Sequence, residues 1–267
     1  MTTPVPQALL DAANAYEALF VPALFGRWAP IVADAAEMKH EDRILDVACG
    51  TGVLALEAAA RVGPQGRVTG VDLHAGMIAV ARRIAPGIDW RDGNAEALPY
   101  QDHSFDVVVS QFGLMFFSDH DRAIREMLRV LTPGGRCVVA VWDAIDNAPA
   151  FADLVTVLDG SAGKAAGDAL RAPFALGDSP ALVRLFESAG ARAIEVATRQ
   201  GTARFPSIRD FVEAELRGWL PVMGVNLTEP EIDRILAEAE RVLASYRSST
   251  GELVFDIPAH LVSARNH

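Results

Sequence analysis

Apolar side chains recur at helical spacing over residues 7–25 (QALLDAANAYEALFVPALF), which predicts a helix that Pro22 kinks or ends. A second short helix is expected over 28–38. The pattern then changes to that of a strand. Residues 43–47 (RILDV) read as a short buried strand, followed at once by the glycine-containing turn 48–52 and a helix over 53–62. The unit then repeats in kind, with strand 67–72, helix 76–84, strand 88–91, strand 105–110, helix 120–131 and strand 136–142. Gly63-Pro64-Gln65-Gly66 and Thr132-Pro133-Gly134-Gly135 supply the turn chemistry between helix and strand. Strands that alternate with helices in this way predict a doubly wound α/β fold. Its sheet is parallel and covered on both faces, because each crossover is right-handed and must pack back on the sheet.

Beyond Trp142 the signals weaken. Residues 143–180 are rich in Ala, Gly and Asp and predict one helix (148–158) and a loose connection, before a helix at 180–189 and a strand at 191–198. Residues 205–247 read as wholly helical, with 210–219 and 231–246 as the periodic pieces, and 252–264 as a closing strand, plain or bulged. No internal repeat interrupts the chain.

Composition narrows the class. With 51% hydrophobic and 22% charged residues the 267-residue chain has the make-up of a globular protein, not of a disordered tail or a fibre. Acids outnumber bases by 35 to 24, and the net charge of -11 disfavours wrapping nucleic acid or resting on an anionic membrane, both of which need a basic face. Only Cys49 and Cys137 are present, far apart and outside any Cys/His cluster, so no disulfide framework and no metal site is readable. A reducing compartment, hence a cytoplasmic location, is the expectation. Residues 1–10 lack a basic region ahead of an apolar stretch, and no window approaches 18 uninterrupted apolar residues, so no membrane partner is expected.

The sharpest chemical feature is ILDVACGTG at 44–52, on the first strand-to-helix turn. Glycines at 50 and 52 allow close approach of a ligand, and the helix that follows offers unpaired N–H groups. Read alone, the turn is ambiguous. Gly50-Thr51-Gly52-Val53-Leu54-Ala55 fits GxGxxA, and Asp72, at the end of the second strand, stands where an acid accepts both hydroxyls of a ribose, so a NAD(P)-dependent Rossmann oxidoreductase competes. Asp46 separates the two. A carboxylate inside the first strand would repel a pyrophosphate, whereas a nucleoside carrying an ammonium and a sulfonium would tolerate or prefer it. S-adenosylmethionine is such a nucleoside.

The order Asp46-x-Ala48-x-Gly50-x-Gly52, the acid Asp72 in VDLHAGM, the block DGNAEALPY at 92–100, FDVVVSQFGLMFF at 105–117 and REMLRVLTPGG at 125–135 together resemble the class I methyltransferases that use S-adenosylmethionine. The nearest branch is that of the quinone-biosynthesis-like C-methyltransferases (methyltransferase type 11). The resemblance covers about 15–142 and implies a mostly parallel seven-stranded sheet. It also implies that the Ala48, Gly50, Thr51 and Gly52 loop lies along the methionine part of the cofactor with Asp46 near its amino group, and that Asp72 holds the ribose diol. Leu73 and Met77 would pack on the adenine, Asn94 and Ala95 would meet its amine edge, and Gln111 and Phe112 would sit by the sulfonium. The chain departs from the family's pattern twice: Ala48 replaces the first glycine, and Asn94 stands where the family more often has Asp, though an amide can still accept from the adenine amine.

On this reading 1–267 is a single methyltransferase domain, with about 40–142 as the cofactor-binding half and the helical segments 1–38 and 205–247 as a cap over the acceptor site. The reaction is an in-line displacement onto a small-molecule acceptor, with S-adenosylhomocysteine as product. Phe205, Phe211, Trp219, Leu220 and Met223 make an apolar or aromatic acceptor the expected one, although the same segment could simply cover the sheet or form a homodimer contact. A general base is needed only if the acceptor must lose a proton. His120, just after the fourth strand, is the best-placed catalytic candidate and His74 the next, with a solvated helix start as the plainer role for His120. Trp142, Asp143 and Asp146 are further pocket candidates, Asp143 alternatively a loop cap; Tyr16 is a candidate lid, and His260 reads as structural. A non-catalytic S-adenosylmethionine-binding relative is a third reading. Nucleic-acid methylation is disfavoured, because Ser110-Gln111-Phe112-Gly113 stands where an Asn/Asp-Pro-Pro-aromatic signature would follow the fourth strand.

Overall fold

The computed structural model describes residues 5–266. The part of the N-terminal reading that falls on residues 1–4, and the last residue of the expected domain, lie outside the described residues.

Seven strands form one sheet in the order β3-β2-β1-β4-β5-β9-β6. They are β1 (Arg43–Val47), β2 (Arg67–Asp72), β3 (Asp89–Asp92), β4 (Phe105–Gln111), β5 (Leu131–Trp142), β6 (Arg192–Arg199) and β9 (Ala259–Arg265). The pairs β1/β2, β1/β4, β2/β3 and β4/β5 are parallel. The order reverses at β1, whose neighbours are β2 on one side and β4 on the other, and open α/β sheets bind ligands at the carboxyl ends beside such a switch. Strand β9 runs against β5: Gly134 N–H donates to Asn266 O at 2.9 Å, and Asp143 N–H to Pro258 O at 3.1 Å. Helices α3 (Val53–Val62), α4 (Ala75–Ile84) and α5 (His120–Val130) are the crossovers. The expected seven-stranded, mostly parallel fold is the observed one.

The chain divides into two compact units. The first comprises 1–141, 178–199 and 260–267, and the second 142–177 and 200–259. The first is centred on buried β1, β4 and β5 residues such as Ile44, Leu45, Val107, Val108 and Val139. In the second, α6 (Pro149–Ser161), α7 (Lys164–Arg171), α9 (Ile208–Ala214) and α11 (Glu229–Val242) accompany a two-stranded antiparallel sheet, β7 (Thr202–Phe205) with β8 (Leu253–Asp256). Its core is a phenylalanine cluster, with Phe205–Phe211 at 4.9 Å and Phe151–Phe211 at 5.1 Å between ring centroids. Helix α8 (Ser179–Ser188) belongs to the first unit.

Several elements differ from the sequence expectation. The 252–264 strand is two strands in two sheets: Pro258 supplies no N–H to a ladder, so the chain leaves β8 at Asp256 and enters β9 at Ala259. Residue 205 ends β7, so 205–247 is not wholly helical. In the 143–180 stretch a second helix, α7, follows α6; its Ala/Gly-rich sequence hides the period, yet Ala166, Gly167, Ala169 and Leu170 form its buried face. Strand β5 begins at Leu131, ahead of the Thr132–Gly135 turn.

The N-terminal helix does not end at Pro22. Helix α1 (Gln7–Ala15) passes into a π-helical stretch, Tyr16–Phe25, that contains it. By length and composition Gln7–Phe25 is apolar enough to cross a membrane, with Asp11 and Glu17 within it. In this structure it is docked on α4: Arg83 donates to Asn14 Oδ1 at 2.6 Å, and a Cβ on Gly76 would overlap the Leu9 carbonyl.

Candidate cofactor site

The turn after β1 is held open by backbone geometry that few residues adopt. Ala48, Gly50 and Gly52 have φ of 56°, 55° and 99°. The left-handed region costs Gly52 little and Ala48 more, and non-glycine outliers of this kind cluster at ligand sites. The turn is pinned to its neighbours: Cys49 N–H donates to Val71 O at 3.1 Å, Gly52 N–H to Cys49 O at 2.9 Å and Gly50 N–H to Asp72 Oδ2 at 2.8 Å. Phe112, with φ 57°, makes a matching outlier after β4, its amide held by Ala140 O at 2.9 Å.

Two carboxylates flank this turn. Asp72 closes β2 and accepts from Gly50 with Oδ2 and from His74 N–H with Oδ1, the latter at 2.8 Å. Its plainer role as a turn cap is thus realised, and each oxygen keeps a further lone pair. Burial still lifts its pKa above the ordinary carboxylate value, against the pull of the His74 and Gly50 amides. Asp46 is different. Only 1% exposed, it has no hydrogen-bond partner at either oxygen. Burial first, and the neighbouring Asp72 second, push its pKa well up, while the Ala55 amide in the first turn of α3 pulls the other way without closing a hydrogen bond. Neither acid makes an ion pair among the described residues.

Other polar atoms at the carboxyl ends of β1 and β4 share this state. Thr51 Oγ1, Ser110 Oγ and Gln111 Oε1 are buried and unpartnered, while Gln111 Nε2 donates to Phe25 O at 3.2 Å. Tyr16 closes over the turn, its hydroxyl 3.8 Å from where a Cβ on Gly50 would lie. Burial raises the Tyr16 pKa, and Asp72, Glu17 and Asp46 raise it further. The rings of Tyr16 and Phe25 stack at 5.3 Å, and Phe112 packs on Phe25 at 5.8 Å and edge-on to Trp28 at 5.6 Å. The structure therefore brings together Asp46, Ala48, Gly50, Thr51, Gly52, Asp72, Gln111 and Phe112, and adds Tyr16 beside the Gly50 turn.

The outlying candidates are placed less tightly. Leu73 is 67% exposed, Met77 is half-buried and Ala95 is buried. Asn94 is exposed, and its Oδ1 accepts from the Glu96 amide at 2.9 Å. His120 is the first residue of α5, after the N-cap Asp119, and its Nε2 is buried without a partner. His74 is an exposed N-cap of α4. In the second unit Asp143 holds Ala144 N–H at 2.7 Å and Asn147 Nδ2 at 3.0 Å, the loop-cap alternative. His260 is buried against Thr198 Oγ1 at 2.9 Å, in keeping with a structural role.

Sequence reasoning missed Trp90 and Phe25. A Cβ at Gly52 or at Gly70 would overlap the Trp90 indole, so that ring forms the wall behind the turn. The available signal was Gly70 inside β2, since a strand glycine marks close approach. A cavity of about 410 Å³ lined by Val62, Gly63, Arg67 and Asp89 lies at the opposite, amino-terminal ends of β2 and β3 and takes no part in this site.

The switch point at β1, the strained glycine turn and the acid ending β2 are those of a nucleoside-binding, doubly wound α/β fold. Residues 44–135 match the family model described as a methyltransferase domain. Over 124 residues the chain is 43% identical to the ubiquinone/menaquinone biosynthesis C-methyltransferase UbiE of Xanthomonas oryzae pv. oryzae, covering 44% of this chain and 49% of that one. The chain spans about half the length of the curated relatives it matches. Among solved structures, the YcgJ protein of Bacillus subtilis superposes with TM-score 0.60 at 20% identity, over 90% of this chain and 98% of that one. Phosphoethanolamine N-methyltransferase 2 of Haemonchus contortus, in complex with phosphomonomethylethanolamine and S-adenosylhomocysteine, gives 0.61 at 17% identity, over 97% and 58%.

Proposed function

We propose that this protein transfers a methyl group from S-adenosylmethionine to a small-molecule acceptor. The observation that supports it most is Asp46, a buried carboxyl that no group of the chain satisfies, at the mouth of the turn where a ligand ammonium would satisfy it. Native proteins rarely leave such a group orphaned, and ion-pairing to a bound cation removes the cost. The same pair argues against the NAD(P) reading, because a pyrophosphate in this place would meet two acids and no basic partner.

In this reading Asp46 holds the amino group and Asp72 the ribose hydroxyls. The Ala48–Gly52 backbone lines the methionine chain, Leu73, Met77, Asn94 and Ala95 the adenine, and Gln111 and Phe112 the sulfonium side. S-adenosylmethionine supplies an electrophilic methyl on sulfur and leaves as S-adenosylhomocysteine. The chain's own part is to orient and to exclude water: well-placed reactants gain on the order of 7–11 kcal/mol over the bimolecular reaction. Tyr16, Phe25 and Phe112 give that end of the site an aromatic, poorly hydrated wall. His120 is the group we assign to proton transfer where an acceptor needs it. Acceptor choice we assign to residues outside the matched segment.

Isothermal titration tests the reading directly. S-adenosylhomocysteine should bind the full chain and NAD should give no heat; the reverse outcome would reject it.

A further inference from the structure

The methionine end of S-adenosylmethionine carries a carboxylate as well as an ammonium, and Asp46 answers only the ammonium. Neither Asp46 nor Asp72 has an arginine or lysine paired to it among the described residues. An anion without a cationic partner is held by N–H and O–H donors. At the glycine turn the N–H groups of Cys49, Gly50 and Gly52 are spent within the chain, on Val71 O, Asp72 Oδ2 and Cys49 O. Hydroxyls remain: Thr51 Oγ1 and Ser110 Oγ, both buried at the strand ends, and Tyr16 Oη above the turn.

Tyr16 is built to donate. Its hydroxyl and ring edge lie 3.8 and 3.9 Å from where a Cβ on Gly50 would stand, so they overhang the turn. The residue is half-buried, and its hydroxyl makes no hydrogen bond among the described residues. Phe25 stacks on the ring at 5.3 Å and Phe20 packs on it at 6.1 Å, which fixes the direction of the O–H end before any ligand arrives. The backbone is anchored on both sides, by Arg83 on Asn14 Oδ1 at 2.6 Å and by Gln111 Nε2 on Phe25 O at 3.2 Å. Burial first, then Asp72, Glu17 and Asp46, keep the proton on the phenol, so it donates rather than accepts. Tyr16 also opens a π-helical stretch, a rare geometry that recurs at functional sites. The other such stretch among the described residues, Glu215–Trp219, lies in the second unit and opens on a carboxyl that burial pushes up to about 8.

We propose that the Tyr16 hydroxyl receives the α-carboxylate of the cofactor, so that the N-terminal helix, together with the glycine turn, sets where the sulfonium stands. This rests on the S-adenosylmethionine reading above. Tyr16 lies outside residues 44–135, the stretch that matches the methyltransferase domain, so the contact belongs to this chain's own N-terminal helix.

Three ligands titrated calorimetrically into the full chain at pH 7.5 separate the parts of the site: S-adenosylhomocysteine, its decarboxylated analogue, which keeps the ammonium, and 5′-methylthioadenosine, which keeps neither charge. Wild type should bind S-adenosylhomocysteine about tenfold more tightly than the decarboxylated analogue. Tyr16→Phe keeps the ring contacts and should weaken S-adenosylhomocysteine about tenfold while leaving the other two ligands within about twofold. A merely structural role would weaken all three alike. Thr51→Val should not reproduce that selective loss. The carboxylate assignment is overturned if wild type binds the decarboxylated analogue as tightly as S-adenosylhomocysteine, a comparison that needs no variant. It is equally overturned if Tyr16→Phe binds S-adenosylhomocysteine as wild type does or loses all three ligands together, or if Thr51→Val alone shows the selective loss. Wild type that binds none of the three rejects the S-adenosylmethionine reading itself, and the Tyr16 assignment falls with it.

Discussion

Asp46→Asn is expected to move stability and affinity in opposite directions. The substitution keeps size and shape and removes the charge. In the ligand-free chain Asp46 has no partner at either oxygen, and burial and Asp72 hold its pKa well above the usual carboxylate range. A group with a raised folded pKa contributes stability that is full below its unfolded value and lost as pH rises through the folded one. The amide that replaces it does not titrate and takes no part in that loss, so urea midpoints of the variant should equal or exceed wild type, by about 1–2 kcal/mol toward alkaline pH. Affinity should fall. Binding an ammonium ionises Asp46 and releases its proton, so wild-type affinity for S-adenosylhomocysteine should rise with pH, at most about tenfold per unit, until the free carboxyl ionises by itself. Losing one partner of a buried, charge-assisted pair costs about 2–3 kcal/mol here, the low end of the usual range because ionising Asp46 offsets part of the gain, or about 30- to 150-fold in Kd. Calorimetry in buffers of different ionisation enthalpy counts the released proton directly. Asp72 is also raised, but it accepts two backbone N–H bonds and should contribute the smaller share. A variant that binds with wild-type Kd and the wild-type pH slope would refute the reasoning.

Asp72→Ala should lower both quantities, since it orphans the Gly50 and His74 amides as well as the ligand's hydroxyls: about 1–3 kcal/mol in cofactor affinity by calorimetry, with a lower urea midpoint. Gly52→Ala should destabilise by about 2–4 kcal/mol, because its φ of 99° suits glycine and the added methyl overlaps Trp90; in a Trp90→Ala background only the backbone share should remain, and a full-sized effect there would exclude the overlap. Between pH 5 and 8 wild-type stability should decline as Glu215, pushed up to about 8, is asked to ionise on unfolding, and Glu215→Gln should flatten that slope in pH-dependent denaturation. His120→Ala should leave S-adenosylhomocysteine affinity within about twofold, and a larger loss would move His120 from proton transfer into cofactor binding.

What the sequence made legible follows from which forces are local. Strand β1 and helix α3 were bounded to the residue, because a buried strand, a glycine turn and an amphipathic helix follow one another without a competing signal. Asp46 and Asp72 were legible as a pair because strand ends fix where an acid can stand. Beyond β5 the local signals compete. Helix α7 has small residues on its buried face, which carry little hydrophobic contrast, and the separation of β8 from β9 depends on which sheet each strand joins, a choice made by distant partners. The π-helical stretches have no signature in a 3.6-residue pattern; they show only once Gly26 N–H is seen bonded to Val21 O. Trp90 was missed because its role is to fill the space two glycines leave, Gly52 twenty residues before Asp72 and Gly70 two before it, and that closure exists only when β2 and β3 pair.

The charge of the site decides between nucleotides more firmly than the glycine pattern does. GxGxxA asks only that a backbone come close to a ligand, a demand that dinucleotides and sulfonium nucleosides make alike. Two acids, Asp46 and Asp72, with raised pKa and no ion pair to either among the described residues, ask for something else. A pyrophosphate placed there would find no counter-charge and would oppose ionisation of either acid in a poorly screened interior, so the chain would need an arginine or lysine to hold it. Neither acid has one. A ligand that brings its own positive charge repairs the deficit at the moment of binding. The unsatisfied carboxyl thereby becomes a source of specificity, weakening the fold slightly so that a cation is gained where a phosphate would be repelled.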